Sequence, residues 1–323
     1  MTPLRDWTTV IATLIVLFAC GLSPRVAQAE TCTATPTNLT FSNVSPISKA
    51  SVNGTGSILV SCTWNSVTLT PTVLVCLDLT APLPRTLSAG SNTLAYGLYT
   101  DNARTIPWGA STLNTTPLTV TLAKPSNGTT ASATLTYYGQ VTGNQPTVPT
   151  LNNATTTYSQ TITAAQTALR AGFYLLGAPS CSTVASSGTF GFTVSAPVVN
   201  NCTIATTNVA FAAATGLTTP LTTTGSLSVT CTNNDAYRIS LNAGTSGNIG
   251  ARVMQSTAGN RINYQLYSDA ARTVIWGDGT TGSAYTAVGT GLAQTVPVYG
   301  LVPAQTAPPP GSYTDTITAT IVF

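Results

Sequence analysis

Apolar and polar residues alternate with a period of two along much of this chain. Ser57 to Cys62, Thr116 to Leu122, Ala131 to Tyr138 and Ser226 to Cys231 all follow that pattern. Such alternation puts one face of a strand on a core and the other in water. Thr, Val, Tyr and Ser dominate these runs, and Gly or Pro interrupts them at intervals of roughly eight to twelve residues, the spacing of an all-β sandwich. No segment sustains a helical period. The one helix-tolerant stretch, Ala164 to Ala171, is short and is read as loop.

The strands occur as two copies of one module. Copy one holds Cys32 and Cys62, then Tyr99-Thr100-Asp101-Asn102-Ala103-Arg104-Thr105 and Trp108-Gly109. Copy two holds Cys202 and Cys231, then Tyr267-Ser268-Asp269-Ala270-Ala271-Arg272-Thr273 and Trp276-Gly277. The offset is 170 residues at the first cysteine and 168 at the tyrosine. Features common to both copies are read as scaffold: Trp108 with Trp276, and Asp101 with Asp269 in their turns. Function is expected where the copies differ.

They differ at three places. Between Tyr138-Gly139 and Gly172-Phe173-Tyr174, copy one carries a long stretch, residues 140–171, read as a loop without structure of its own. Its partner stretch in copy two, residues 301–310, is short. Next, an alternating run from Phe190 to Val198 directly precedes Asn201-Cys202. It has the pattern of a last strand for copy one, although it leads into copy two. Finally, Tyr313 to Phe323 reads as one strand with Tyr313, Ile317, Ala319, Ile321 and Phe323 on one face, and the sequence stops inside it. An apolar edge at Ile317, Ala319, Ile321 and Phe323 would then await a partner strand.

Residues 1–29 fit a secretory signal: basic Arg5, an apolar run from Val10 to Ala19, and Ala27-Gln28-Ala29 as the cleavage pattern. Lipidation at Cys20 is the rival reading. From Glu30 onward six cysteines remain, as expected for disulfides in an oxidising compartment. Repetition pairs Cys32 with Cys62 and Cys202 with Cys231, and elimination pairs Cys76 with Cys181, which copy two lacks. With no His and no close Cys pair, no metal site and no cofactor are expected. Charged residues make up only 6% of the chain and the net charge is +3, too little for a nucleic-acid footprint. General acid–base chemistry lacks its usual residues. Asp278 in Trp276-Gly277-Asp278-Gly279 is another turn residue, so no enzyme is expected.

Copy two also contains Arg252-Val253-Met254, Tyr264-Gln265-Leu266-Tyr267-Ser268-Asp269, Val298-Tyr299-Gly300 and Pro310-Gly311-Ser312-Tyr313-Thr314-Asp315-Thr316. With the cysteine and Trp-Gly motifs, these resemble the spore coat protein U domain family, the pilins of archaic chaperone–usher pili. Copy one is more divergent and lacks the Arg-x-Met run. The resemblance implies two immunoglobulin-like β-sandwich domains, the C-terminal one incomplete and lacking its last strand. On this reading residues 30–199 form an adhesive domain completed by strand 190–198, and residues 200–323 form a pilin-like domain that accepts a donor strand. It further implies a periplasmic chaperone that anchors the Phe323 carboxylate, an outer-membrane usher, and a next pilin subunit as donor. Two-domain members without an N-terminal extension look like a tip adhesin, exported through the periplasm to the cell surface.

In such a sandwich the free pole of copy one would carry the loop 64–71 and the loop 175–188. Both have apolar residues where loops are ordinarily polar: Trp64, Val67 and Leu69, and Leu175, Leu176 and Pro179. These are the expected contacts to an abiotic or host surface, in adhesion and biofilm formation. Ile106 to Pro117 is a further candidate. The alternatives are a spore-coat or envelope structural protein, and a secreted carbohydrate-binding module.

Overall fold

The computed structural model describes residues 29–323. The expected signal segment and Cys20 lie outside the described residues. The first twelve strands are β1 (Thr31–Pro36), β2 (Leu39–Thr40), β3 (Val52–Thr63), β4 (Thr72–Leu79), β5 (Arg85–Ala89), β6 (Asn92–Tyr99), β7 (Leu118–Ala123), β8 (Thr130–Val141), β9 (Thr156–Ile162), β10 (Thr167–Tyr174), β11 (Ser186–Gly188) and β12 (Phe192–Val198). They form an eight-stranded sheet, β1-β3-β8-β6-β5-β9-β12-β2, and a four-stranded sheet, β11-β10-β4-β7. One apolar core lies between them, built from Ile58, Val75, Leu77, Trp108, Tyr137 and the inward residues of β12. Close packing there depends on Gly56: a Cβ at that position would sit 2.2 Å from the Tyr137 ring.

Two segments read as loop are ordered structure. Ala164–Gln166 is a 3₁₀ turn, and Thr167–Tyr174 pairs along the full length of β4. The stretch 140–171 also contains β9, which lies between β12 and β5. Ala and Gly, which recur through Thr167–Tyr174, carry little strand signal of their own. Here pairing with β4 and burial of Thr167 and Leu169 decide the conformation, a case of tertiary context outweighing propensity.

Eight further strands follow: β13 (Cys202–Thr206), β14 (Leu221–Cys231), β15 (Ala236–Leu241), β16 (Arg252–Gln255), β17 (Arg261–Tyr267), β18 (Tyr285–Val288), β19 (Gln294–Val302) and β20 (Ala319–Val322). They make a five-stranded sheet, β13-β14-β19-β17-β16, facing β18-β15-β20, with a second core around Trp276, Val296 and Val298. The strand read over 313–323 is shorter than expected. Only Ala319–Val322 pairs, with β15, while Thr314 makes a single bridge to Gln255. Residues 315–318 have no strand neighbour on their free side, so no ladder extends through them.

The shared motifs do the same work in both domains. Trp108 Nε1 donates to the Leu77 carbonyl at 2.8 Å, and Trp276 Nε1 to that of Ile239 at 2.9 Å. The Asp101 carboxylate accepts from the Ile106 amide at 2.8 Å, and that of Asp269 from the Val274 amide at 2.7 Å. The Val274 amide, opposed by a smaller desolvation effect and helped by Thr273, holds the Asp269 carboxyl below its ordinary range. All three disulfides are present: Cys32–Cys62, Cys76–Cys181 and Cys202–Cys231.

The 140–171 stretch also forms a joint between the domains. Asn233 Nδ2 donates to the Thr147 carbonyl at 2.8 Å. Asn153 makes two bonds of 3.0 Å to the backbone of Ala236, accepting from its amide and donating to its carbonyl. The Thr150 hydroxyl donates to the buried Asp235 carboxylate, whose second oxygen has no partner. Desolvation pushes the Asp235 carboxyl above its ordinary value, and the Thr150 bond offsets this only in part. The folded joint therefore holds that proton more tightly than the unfolded chain does. Its contribution to stability is complete below the unfolded value and falls as pH rises through the folded one. Asp235→Asn is expected to flatten this dependence and to raise the melting temperature at neutral pH. A thermal-unfolding series from pH 4 to 8 on both proteins measures it.

Candidate functional sites: an unfilled strand slot and an apolar pole

Strand β12 shows what fills the last position of a sandwich here. It runs antiparallel to β9, from Phe192↔Ile162 to Val198↔Thr156, and parallel to β2 on its other side. Phe192, Val194, Ala196 and Val198 all point inward and are buried. The Phe192 ring stacks on Trp108 at 5.8 Å and contacts Tyr137 at 5.2 Å. Under this cover Leu39, Phe41 and Val44 are sealed from water. The Phe41 amide donates to the Ser195 carbonyl at 2.8 Å, and the Val44 amide to that of Pro197 at 2.9 Å.

Among the described residues, nothing occupies the same place in the second domain. At the offset of 170, Leu39 and Phe41 become Val209 and Phe211. Both are only half-buried against the second core. Residues 209–214 form no strand, and among the described residues their amides make no backbone hydrogen bond. The opposite wall is the extended segment 311–318 leading into β20, with Ile317 half-buried toward the core. Where Tyr137 stands in the first domain, the second has Val298, and Trp276 contacts Tyr285 at 5.6 Å with no ring like that of Phe192 over it. The result is a slot with apolar contents and unpaired backbone on its walls, the features of a strand-accepting edge.

Of the edge residues expected from sequence, Ile317 lines a wall of this slot. Ala319 and Ile321 lie in β20 and pack on the second core, while Phe323 follows β20 and is 42% exposed. Val209 and Phe211 were missed. The repeat offset contained the signal, because Leu39 and Phe41 align with them directly.

The second site is the pole of the first domain away from the joint. Strands β4 and β10 end there at Thr72↔Tyr174, bringing loop 64–71 beside loop 175–185. The Lys124 amide donates to the Pro71 carbonyl at 2.7 Å, which adds the loop after β7. Val67 and Leu176 are each 88% exposed, Leu69 83% and Leu175 60%. Trp64 is not a contact residue: it is buried, donates to the Thr70 carbonyl at 3.1 Å, and meets the edge of Phe173 at 5.8 Å. The indole fills the end of the core, and the loop folds back over it. Pro179 is half-buried beside Gly172, where a Cβ would approach its ring to 2.7 Å. Glu30 holds the first loop by accepting from the hydroxyls of Thr68 and Thr70.

The second loop is braced along its length. Cys181 is joined to Cys76, Arg170 pairs with buried Asp78 at 2.7 Å, and Arg170 also donates to the Val184 carbonyl at 2.6 Å. In the stretch 106–117, Trp108 is buried scaffold and Ile106 is 43% exposed. Leu113 is 61% exposed, beside Ser111, whose hydroxyl donates to the Cys181 carbonyl at 3.3 Å.

Among the described residues no group of three or more His, Cys, Asp or Glu could hold a metal ion, and no helix is long and apolar enough to cross a membrane. An open groove of about 520 Å³ lies on the second domain near Ser240, Asn242 and Asp278. The Asp278 carboxylate is committed to its own turn, accepting from the amides of Thr280 and Thr281 at 2.7 Å.

A model of the Spore Coat Protein U domain matches residues 17–165 and 188–320. "Protein U" of Myxococcus xanthus is 36% identical over 154 residues, covering 46% of this chain and 78% of its own. Among solved structures, the chain is similar to the CsuC–CsuE chaperone–tip adhesion subunit pre-assembly complex from archaic chaperone–usher Csu pili of Acinetobacter baumannii. That match has a TM-score of 0.49 and 17% identity, and it covers 91% of this chain and 100% of the other.

Proposed function

The chain belongs to the spore coat protein U domain family, and from that premise we propose that it is a pilus tip adhesin. The observation that carries this reading is the unfilled slot between residues 209–214 and 311–318, at the place where the first domain holds β12. A fibre is assembled by filling such slots, each with a strand from the next subunit. In this chain the first domain carries its own strand, so only the second is left to accept one. The donor would add main-chain hydrogen bonds along both walls and place alternate apolar side chains over Trp276 and Val298. A periplasmic chaperone would hold the slot until an outer-membrane usher delivers the donor. The first domain would then project from the fibre end at the cell surface.

Its apolar pole supplies the contact. Four exposed apolar side chains on two adjacent loops, one of them stapled by Cys76–Cys181, bind with little loss of loop entropy. Changing Val67, Leu69, Leu175 and Leu176 together to Ser is expected to abolish adhesion to hydrophobic surfaces. The cost in stability should be small, because each side chain already faces water. Pilus yield and melting temperature should match the native protein. Undiminished adhesion would remove these loops from the contact site. Binding of its chaperone or of a donor strand is expected to raise the protein's melting temperature, because either one covers apolar surface that the open slot leaves in water.

A further inference from the structure

This chain carries both a donor-type strand and an unfilled slot, which makes a second copy of itself an immediate competitor for that slot. The register shows how well such a strand would fit. In the first domain Gly188 pairs with Leu169 and Phe192 with Ile162. Four steps on the donor side therefore oppose seven on the acceptor side, and the 3₁₀ turn Ala164–Gln166 takes up the excess.

The two acceptor segments align through matched contacts. Arg85 Nη2 donates to the Trp108 carbonyl, and Arg252 Nη2 to that of Trp276, both at 2.9 Å. The pairing Ser88↔Ser159 then corresponds to Gln255↔Thr314. The bond from the Thr80 amide to the Gln166 carbonyl corresponds to that from Asn242 to Thr318. Seven steps lead from Ser159 to Gln166, but only four from Thr314 to Thr318, so the second domain lacks the turn. Residues 186–198 would lie against 311–323 as one uninterrupted antiparallel ladder, with Phe192 beside Ile317.

Strand β12 is also confined covalently. Cys181, just before β11, is bonded to buried Cys76 on β4, and Cys202, just after β12, is bonded to Cys231 on β14. The second domain has no counterpart of the first of these bridges, since Arg238 stands at the Cys76 position. Without it, no covalent tether remains between the end of β10 at Tyr174 and Cys202, and β11 and Val184 are held to β10 by hydrogen bonds alone. The freed stretch 175–201 could then extend to roughly 90 Å, enough to reach a neighbouring molecule.

We propose that the second-domain slot fits residues 186–198 of a second copy, and that the Cys76–Cys181 disulfide keeps this strand in its own domain so that the slot stays free for a foreign donor. This rests on the reading of the slot as a strand acceptor. Strand exchange between identical subunits is a low-cost route to open chains, because donor and acceptor lie on different surfaces of each molecule.

The test compares the native protein with the Cys76→Ser/Cys181→Ser variant, each refolded under conditions that re-form the other two disulfides, by native mass spectrometry. The variant is expected to form dimers and longer chains that an excess of synthetic peptide 186–199 suppresses, while the native protein stays monomeric and binds the peptide. Amides of residues 192–198 should also exchange with solvent at least about 10-fold faster in the variant. If the variant precipitates, a protease site inserted between Ala185 and Ser186 and cut after folding releases β12 from the same tether and should produce the same chains. Peptide binding without chains in either altered protein overturns the disulfide's role and leaves the slot intact. Absence of peptide binding overturns both.

Discussion

Phe192→Ala is expected to destabilise the first domain by about 3–5 kcal/mol and to leave the second domain's transition unchanged. The Phe192 ring lies on Trp108 and against Tyr137 at the centre of the first core, where truncation leaves a cavity that two other rings border. The same truncation weakens the hold of β12, the strand that runs beside Leu39 and bonds to the Phe41 and Val44 amides. Calorimetry resolves the outcome: two transitions, with only the first-domain transition moving down. A loss below about 1 kcal/mol would mean that β12 contributes little to that core.

The two buried arginines give the second large effect, and it is asymmetric. Arg252 donates to the carbonyls of Asn242, Leu241 and Trp276 and to Gln265 Oε1 at 2.6 Å, and Gln265 in turn donates to the Ile249 carbonyl at 2.8 Å. Arg252→Met strips this network and leaves several buried acceptors unpaired, so a loss of about 3–5 kcal/mol is expected. Arg85 holds the matching position and keeps the bond to Trp108, but its Nε and Nη1 have no partner. Gly97 stands where the second domain has Gln265. Replacing a buried charge that is so poorly partnered should be neutral or stabilising, so Arg85→Met is expected to cost less than about 1 kcal/mol. Denaturant titration of both variants checks the contrast. Equal losses would mean that the Gln265 network is unimportant.

The all-β architecture, the repeat and its scaffold residues were legible in the chain because each rests on a local pattern. Alternation marks β3, β8, β14 and β12, and cysteine repetition marks two of the disulfides. The Asp101 and Asp269 turns follow from one short motif whose carboxylate caps its own backbone. The exposed tips at Val67, Leu69, Leu175 and Leu176 were legible too, since apolar residues stand out in a polar loop. Trp64 shows the limit of that signal. Its burial depends on Phe173, which is distant in sequence, and on the loop folding back so that the Thr70 carbonyl meets the indole.

What local pattern could not carry was decided by partners remote in sequence. Thr167–Tyr174 is a strand because β4 lies along its whole length, and Tyr313–Thr318 is not one because it meets its neighbours only at the Gln255 bridge and the bond to Asn242. Residues 146–154 have no period of their own, yet they are fixed by Asn233, Asp235 and Ala236 across the domain joint. Sequence by itself determined that one sandwich is built twice, since side-chain alternation and repeated motifs are properties of the chain. That the run 190–198 would complete the first copy was expected from its alternation, and the tertiary structure decided where it lies, between β9 and β2. Phe41 is sealed from water and Phe211 is not, and β12 is hydrogen-bonded alongside the first of them only.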